Sequence, residues 1–187
     1  MIFRLLDRFI LVIVIACIGL FGCLKEEPSV NFNKSEFTLK AGIMLYKGVP
    51  FTGTLIKKGQ NIYHSLYKNG KKHGLETIYY QSGNLNAKRY FKDGNCYSKQ
   101  VGWWDNSKLR YTYRCNKYGI DGLKLEYFDN GVKRSERYFK DGKEHGKQKF
   151  WFSDGKPRTT YIIKNGRRYG IVGTKLCRPS IYKAKPK

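Results

Sequence analysis

Glycine recurs in this chain on a beat of 24 residues. Gly74, Gly122, Gly146 and Gly170 occupy one lattice, Gly70, Gly94, Gly142 and Gly166 a second, and Gly83, Gly131 and Gly155 a third. A period of that size signals a stacked repeat array, which offers a long surface rather than an enclosed cleft. The residues between the glycines say what each unit is. After Gly122, the run Leu123 to Phe128 alternates and is rich in aromatics, the pattern of a strand. Asp129-Asn130-Gly131 is turn chemistry, the glycine supplying the left-handed residue of a bulged hairpin. Val132 to Phe139 returns, and residues 140–146 lead into the next unit. Gln81-Ser82-Gly83 and Ser153-Asp154-Gly155 fill the first turn elsewhere; Lys92-Asp93-Gly94 and Lys164-Asn165-Gly166 fill the second. The expected fold is all-β: an elongated, single-layer antiparallel meander of repeated hairpins over residues 42–177.

Two aromatic columns run along this array. Tyr79, Trp103, Tyr127 and Trp151 share one slot, and Tyr80, Trp104, Phe128 and Phe152 the next. Adjacent strand residues point to opposite faces, so both faces carry rings, with a third column at Tyr90 and Tyr138. Such ladders suit a narrow sheet without a second layer, at about 0.2–1 kcal/mol per favourable cross-strand pair. Tyr79, Trp103, Tyr127, Trp151, Trp104 and Phe128 are the candidate binding surface, with packing inside the ribbon as the competing role.

An address precedes the repeats. Arg4 and Arg8 stand before an apolar run from Phe9 to Gly22, the form of a secretory signal helix. The run is shorter than the ~20 residues of a membrane span, which disfavours an uncleaved anchor. Leu20-Phe21-Gly22-Cys23 resembles the lipobox of bacterial lipoproteins, with Phe21 bulkier than the usual small residue. Cleavage at the competing Val14-Ile15-Ala16-Cys17 would leave Ile18 to Phe21 as an apolar start. The resemblance implies removal of residues 1–22, acylation of Cys23, a tether over 23–41, and membrane attachment through the lipid. Lys25-Glu26-Glu27 is similar to the short tag that sends many lipoproteins to the cell surface, so the implied location is the outer membrane or surface of a Gram-negative cell. Residues 178–187, with Pro179, Pro186 and interspersed lysines, read as a disordered tail.

The chain carries a formal charge of +23, of which the leader accounts for +1. That excess predicts attraction to anionic surfaces without choosing among them. The cations are spread through the repeats, as in Lys71-Lys72, Lys108 and Arg110, Lys133-Arg134 and Arg167-Arg168. Solvated strand faces are their bland explanation.

Tyr67-Lys68-Asn69-Gly70-Lys71-Lys72-His73-Gly74, followed by Tyr79-Tyr80 and Gly83, resembles the MORN repeat (membrane occupation and recognition nexus), in the variant of bacterial proteins similar to YwqK-type antitoxins. Residues 138–146 repeat the pattern, Gly48 to Gly53 resembles an opening repeat, and the similarity covers residues 46–173. Residues 98–121 depart most, with Ser98 and Ser107 where glycines stand elsewhere and Tyr118 displacing a glycine to Gly119. The resemblance implies an elongated ribbon that makes protein or membrane contacts or acts as a scaffold, and the antitoxin relationship implies a neutralised partner.

The departing unit holds Cys96 and Cys115. In a hairpin folded about Asp105-Asn106-Ser107 the two face each other to within a residue, so oxidation to a disulfide in an exported compartment is expected. A register slip of one residue would put them on opposite faces instead. Cys177 is left over. His73 and His145 share a slot six strands apart, roughly 29 Å at ~4.8 Å per strand, too far for a common metal. No nucleophile–base spacing or phosphate loop stands out, and a non-enzymatic chain without metal or cofactor is expected. The leading functional expectation is a lipid-anchored interaction scaffold in the bacterial envelope whose partner is another envelope protein. The alternatives are an immunity-type antitoxin and recognition of an anionic lipid or glycan surface. Export argues against nucleic acid as a partner.

Overall fold

Left-handed backbone at fixed intervals builds the architecture. Gly83, Gly131 and Gly155 have φ of 89°, 90° and 85°, and each donates its N–H to the carbonyl three residues earlier, on Tyr80, Phe128 and Phe152. A register shift accompanies every such turn, at Ile78/Tyr79, Glu126/Tyr127 and Phe150/Trp151. These are bulged hairpins in which the glycine takes the conformation that L side chains resist. At the other edge, Asn69-Gly70, Asp93-Gly94, Asp141-Gly142 and Asn165-Gly166 each place two successive residues at positive φ. That is the two-residue turn whose twist matches paired strands.

The computed structural model describes residues 27–173. The expected leader and tail, the expected lipidation site at Cys23, and Cys177 lie outside the described residues. Strands β1 (Ser29–Asn31), β2 (Phe37–Lys40), β3 (Ile43–Tyr46), β4 (Val49–Pro50) and β5 (Gly53–Lys58) open the fold. The hairpins follow as β6 (Ile62–Lys68), β7 (Lys71–Tyr79), β8 (Leu85–Lys92), β9 (Asn95–Cys96), β10 (Ser98–Trp103), β11 (Leu109–Asn116) and β12 (Gly119–Ile120). The array ends with β13 (Gly122–Tyr127), β14 (Lys133–Lys140), β15 (Lys143–Trp151), β16 (Pro157–Lys164) and β17 (Arg167–Gly173). A 14-stranded sheet runs in the order β1-β5-β6-β7-β8-β10-β11-β13-β14-β15-β16-β17, with β9 on β8 and β12 on β11. All its pairings are antiparallel except β1 on β5. The described residues form the all-β meander expected from the repeats.

Two departures concern the ends of units. First, part of the segment read as a tether is folded. β1 joins the sheet edge, and β2 pairs with β3 and β3 with β4 in a separate three-stranded sheet. Phe37 of β2 is buried with Phe51, Leu55 and Tyr67, and Val30, Phe32, Met44 and Tyr46 pack around them. The single layer therefore gains a second layer at this end, giving the first hairpin a core that a lone ribbon end lacks. Second, Ser107 keeps φ 63° and Ser98 φ 64° where the lattices place glycine. Lys117-Tyr118 breaks the two-residue pattern: the Asn116 side chain accepts the Tyr118 N–H at 2.8 Å, and Gly119 takes φ 120°. Gly119 lies so close to the next turn that an added Cβ would come within 2.8 Å of the Gly142 Cα.

The ladder separates two unlike faces. Residues below one-tenth exposure, including Ser65, Glu76, Ile78, Ala87, Gln100, Cys115, Ser135, Gln148, Tyr161 and Ile163, fall on one face by the strand registers. We call it the closed face. Along β6–β16 the opposite, open face has no fully buried side chain; Asn86, 6% exposed, is the unpaired residue of the bulge between Leu85 and Ala87.

A non-glycine residue in the left-handed region costs about 1–2 kcal/mol, partly offset by the extra unfolded-state freedom of glycine. Ser107→Gly is therefore expected to stabilise the protein by about 0.5–1 kcal/mol. Gly83→Ser, at a turn where an added Cβ meets nothing within 4 Å, is expected to destabilise it by a similar amount. Urea unfolding of both variants checks the pair.

Candidate interaction surface

The closed face is held by polar side chains in repeat register. Gln100 and Gln148 stand in one slot, two units apart, and each is essentially fully buried. Gln100 Nε2 donates to the carbonyls of Tyr90 at 3.0 Å and Tyr97 at 2.9 Å; Gln148 Nε2 donates to those of Tyr138 at 2.8 Å and His145 at 3.1 Å. The same slot holds Glu76, whose carboxylate accepts from Ser65 Oγ at 2.7 Å and pairs with Lys72. Glu126 accepts from Ser135 Oγ at 2.6 Å and pairs with Lys124 at 2.8 Å, and Arg137 pairs with Glu144. Carboxylates on this face are thus matched by cations and hydroxyls, as burial requires.

The turns of the bulged edge interlock by side chains reaching one unit ahead. Asn84 Nδ2 donates to the Asp105 carbonyl at 2.7 Å, Asn106 Nδ2 to that of Asp129 at 2.8 Å, and Asn130 Nδ2 to that of Ser153 at 2.8 Å. The aromatic slot beside these turns joins in. Tyr80 Oη donates to the Trp103 carbonyl at 2.8 Å, and Trp104 Nε1 to that of Tyr127 at 3.1 Å. Arg110 lies over Trp104 and Tyr111, Arg134 over Phe128, and Arg158 over Phe152, with centroid distances of 5.2–5.9 Å. Stacked guanidinium–ring contacts of this kind contribute about 0.5–1 kcal/mol at exposed sites.

The six candidate rings consequently divide. Trp104 and Phe128 stand beside the closed face, engaged by the next turn or by arginine. Tyr79, Trp103, Tyr127 and Trp151 form a half-buried column on the open face. There Tyr79 meets the His64 ring at 5.5 Å, and Lys133 covers Trp151 at 5.3 Å. Equivalent rings lie two strands apart, about 10 Å, so the column is a spaced series rather than one continuous patch.

A second row on the open face extends the Tyr90 and Tyr138 column read from the sequence, adding their cross-strand partners and the cation-bearing hairpins between and beyond them. The cross-strand pairs are Leu75 with Tyr90, Lys99 with Arg114, Leu123 with Tyr138, and Lys147 with Ile162. Tyr90 is 40% exposed, Leu123 39%, Tyr138 41% and Ile162 48%, and Lys99, Arg114 and Lys147 are also exposed. The row alternates between apolar hairpins and hairpins that carry cations, two in Lys99 and Arg114 and one in Lys147 beside Ile162. Other slots alternate on the same doubled period: Tyr79, Trp103, Tyr127, Trp151 in one, and Arg89, Tyr113, Arg137, Tyr161 in another. That alternation was the available signal, and it makes a pair of hairpins the repeating unit of the surface.

Cys96 and Cys115 are joined in a disulfide, with Cα atoms 5.8 Å apart. They are not the directly opposed pair of one ladder. Ser98 opposes Cys115, whereas Cys96 pairs with Phe91 through β9. The left-handed bend at Ser98 carries the preceding residues out of the β10 ladder, and the disulfide ties β9 to β11 across that bend. His73 Nδ1 lies 3.2 Å from Asp93 Oδ1 at a turn, and His145 is exposed. Among the described residues, no group of three or more His, Cys, Asp or Glu side chains is placed to hold a metal ion.

Residues 72–93, 120–141 and 144–165 match the MORN repeat variant. MORN repeats generally mediate protein or membrane interactions and are typically binding units rather than enzymes. The disulfide-bearing unit between the first two matches falls outside them. No curated protein matches the chain.

Replacing both Cys96 and Cys115 by serine is expected to cost about 3 kcal/mol, the chain-entropy value for a loop of this size. Thermal unfolding with and without reductant, alongside mass mapping of unreduced peptides, checks it. A second expectation concerns acid. Burial acts to raise the Glu126 carboxyl, but hydrogen bonds from Lys124 and Ser135 and the charges of Lys124 and Arg137 hold it below the usual carboxylate range. For Glu136, the Lys133 hydrogen bond leads the same downward shift. A depressed folded-state value stabilises the fold fully above the unfolded value of about 4.3, and that contribution is lost as pH falls through the folded one. Urea midpoints should therefore drop between about pH 5 and pH 3, and Glu126→Gln should flatten that drop while lowering the midpoint at neutral pH.

Proposed function

We propose that this chain is an exported, lipid-anchored and non-catalytic interaction scaffold of the bacterial envelope. The observation that carries the reading is the difference between the faces: one packed by its own network of polar side chains, the other presenting rings and cations without a covering layer. A rigid repeat sheet with one uncovered face is suited to holding a partner across many strands. The leader pattern ending at Cys23 supports export and acylation. The disulfide supports an oxidising compartment, since such bonds persist there and are rare in the cytosol. Recognition of an anionic lipid or glycan surface is the second reading, favoured by the formal charge of +23.

In its native host the chain is expected in the membrane fraction, beginning at an acylated Cys23 and carrying an oxidised Cys96–Cys115 pair. Cys23→Ala should abolish the lipid mass and release the chain from washed membranes. A chain that keeps its leader, lacks acyl mass and remains in the cytosol would overturn the proposal.

A further inference from the structure

Like charges directly opposed across a strand pair destabilise a sheet. Lys99 on β10 and Arg114 on β11 are such a pair, within the ladder and exposed on the open face. Among the described residues, neither they nor Lys147 have a carboxylate within ion-pair distance. Within the ladder Lys124 also opposes Arg137, but there Glu126 and Glu144 neutralise the pair. Opposed cations without such partners occur at hairpin mouths, as Lys68 with Lys71 and Lys140 with Lys143. Those flank solvent-facing turns that carry Asn69 or Asp141, whereas Lys99 and Arg114 stand between the exposed apolar pairs of adjacent hairpins. The fold gains nothing from this placement. A bound anion would gain from it.

Within the strands β6–β16, Glu136 is the one carboxylate on the open face, and Lys133 and Lys149 already neutralise it at 3.1 Å and 3.4 Å. Asp121, between β12 and β13, donates its N–H to the Arg114 carbonyl at 2.9 Å but makes no ion pair with Arg114. A second copy of this chain presenting the same face would meet cation with cation, so the occupant must be anionic. The row also has a fixed geometry. In the order β10-β11-β13-β14-β15, Arg114 and Lys147 are three strands apart and Lys99 and Lys147 four, about 14–19 Å at ~4.8 Å per strand. Leu123 and Tyr138 lie between them. A fluid bilayer responds to total charge and apolar area and would not distinguish banded cations from mixed ones. A polypeptide would.

We propose that the open face binds an acidic segment of a partner protein, laid extended across β10–β15. One acidic cluster meets Lys99 and Arg114, the other meets Lys147, and apolar side chains between them rest on Leu123 and Tyr138. At ~3.3 Å per extended residue, the span corresponds to about five residues between acidic clusters. This rests on the scaffold reading above and names the chemistry of its partner.

Fluorescence anisotropy with the full chain, using the labelled peptides EEGLYGEE and EEEEGLYG, tests the spacing at constant composition. The first should bind about tenfold more tightly. The double exchange Leu123→Lys with Lys147→Leu keeps net charge and composition, alters two exposed positions, and should erase that preference. Lys99→Gln with Arg114→Gln should weaken the spaced peptide about tenfold while raising the thermal midpoint of the free chain, a combination that loss of folding cannot produce. Equal binding of the two peptides, an unchanged preference after the exchange, or displacement of the peptide by phosphatidylglycerol vesicles that bind the exchanged chain equally would overturn the proposal. A cytosolic, unacylated chain would sink the envelope reading and leave the peptide preference standing, so the two failures are distinguishable.

Discussion

The ribbon depends on backbone that passes through the left-handed region at the same point in every unit. Because each bulged turn shifts the register at the same slot, equivalent residues of successive hairpins stack in columns. Columns are what let Asn84, Asn106 and Asn130 reach the same carbonyl one unit ahead. Ser107 shows how firmly the array imposes this geometry. It holds φ 63° without the freedom of glycine, while its N–H still donates to the Trp104 carbonyl at 2.9 Å. Cooperation between neighbouring units outweighs the local preference of one residue.

A single layer must also cover its own inside. The closed face does so with long polar side chains lying along the sheet, as in the Gln100 and Gln148 bonds to backbone and the Glu126 contacts with Lys124 and Ser135. The solution is more conditional than an oily core. A buried carboxylate without its cation would be costly, which is why the acids of this face are tied to particular lysines and arginines. Among the described residues, a conventional apolar cluster forms only at the start of the array, where Phe37 from the small sheet packs on Phe51 with ring centroids 5.4 Å apart. The strongest hydrophobic packing therefore sits at one end, and polar complementarity carries the middle.

Much of this was legible in the chain. Spaced glycines and Asp-Asn-Gly turn chemistry dictate hairpins through conformational rules acting over a few residues, so the meander followed from local sequence. The small N-terminal sheet did not. Its strands are two to four residues long, and Phe37 is buried by contacts with Phe51 and Tyr67 far along the chain, which no local periodicity records. The cysteine register was read from the turn alone, which fixes Trp103 against Leu109 but not the residues beyond the bulge and the bend at Ser98. The candidate rings were found as columns, but their division between the faces depends on hydrogen bonds and stacked arginines formed between units.

The open face differs from the rest because its pattern obeys no folding requirement. The glycine lattices and the aromatic character of the ring slots recur on one unit, as a structure built by repeating hairpins demands. Leucine and lysine in the slot of Leu75, Lys99, Leu123 and Lys147 recur on two. Both residue types are sterically acceptable on an exposed strand, so stability alone would select the same favourable neighbour each time rather than oppose Lys99 to Arg114. On the closed face the doubled period of Arg89, Tyr113, Arg137 and Tyr161 serves internal contacts. In the exposed row of Leu75, Lys99, Leu123 and Lys147 no such contact accounts for it, which points to something outside the fold that reads every second hairpin. On the proposed reading, the distance between cationic bands is a property of the partner, impressed on a ribbon whose own geometry supplies only the ruler.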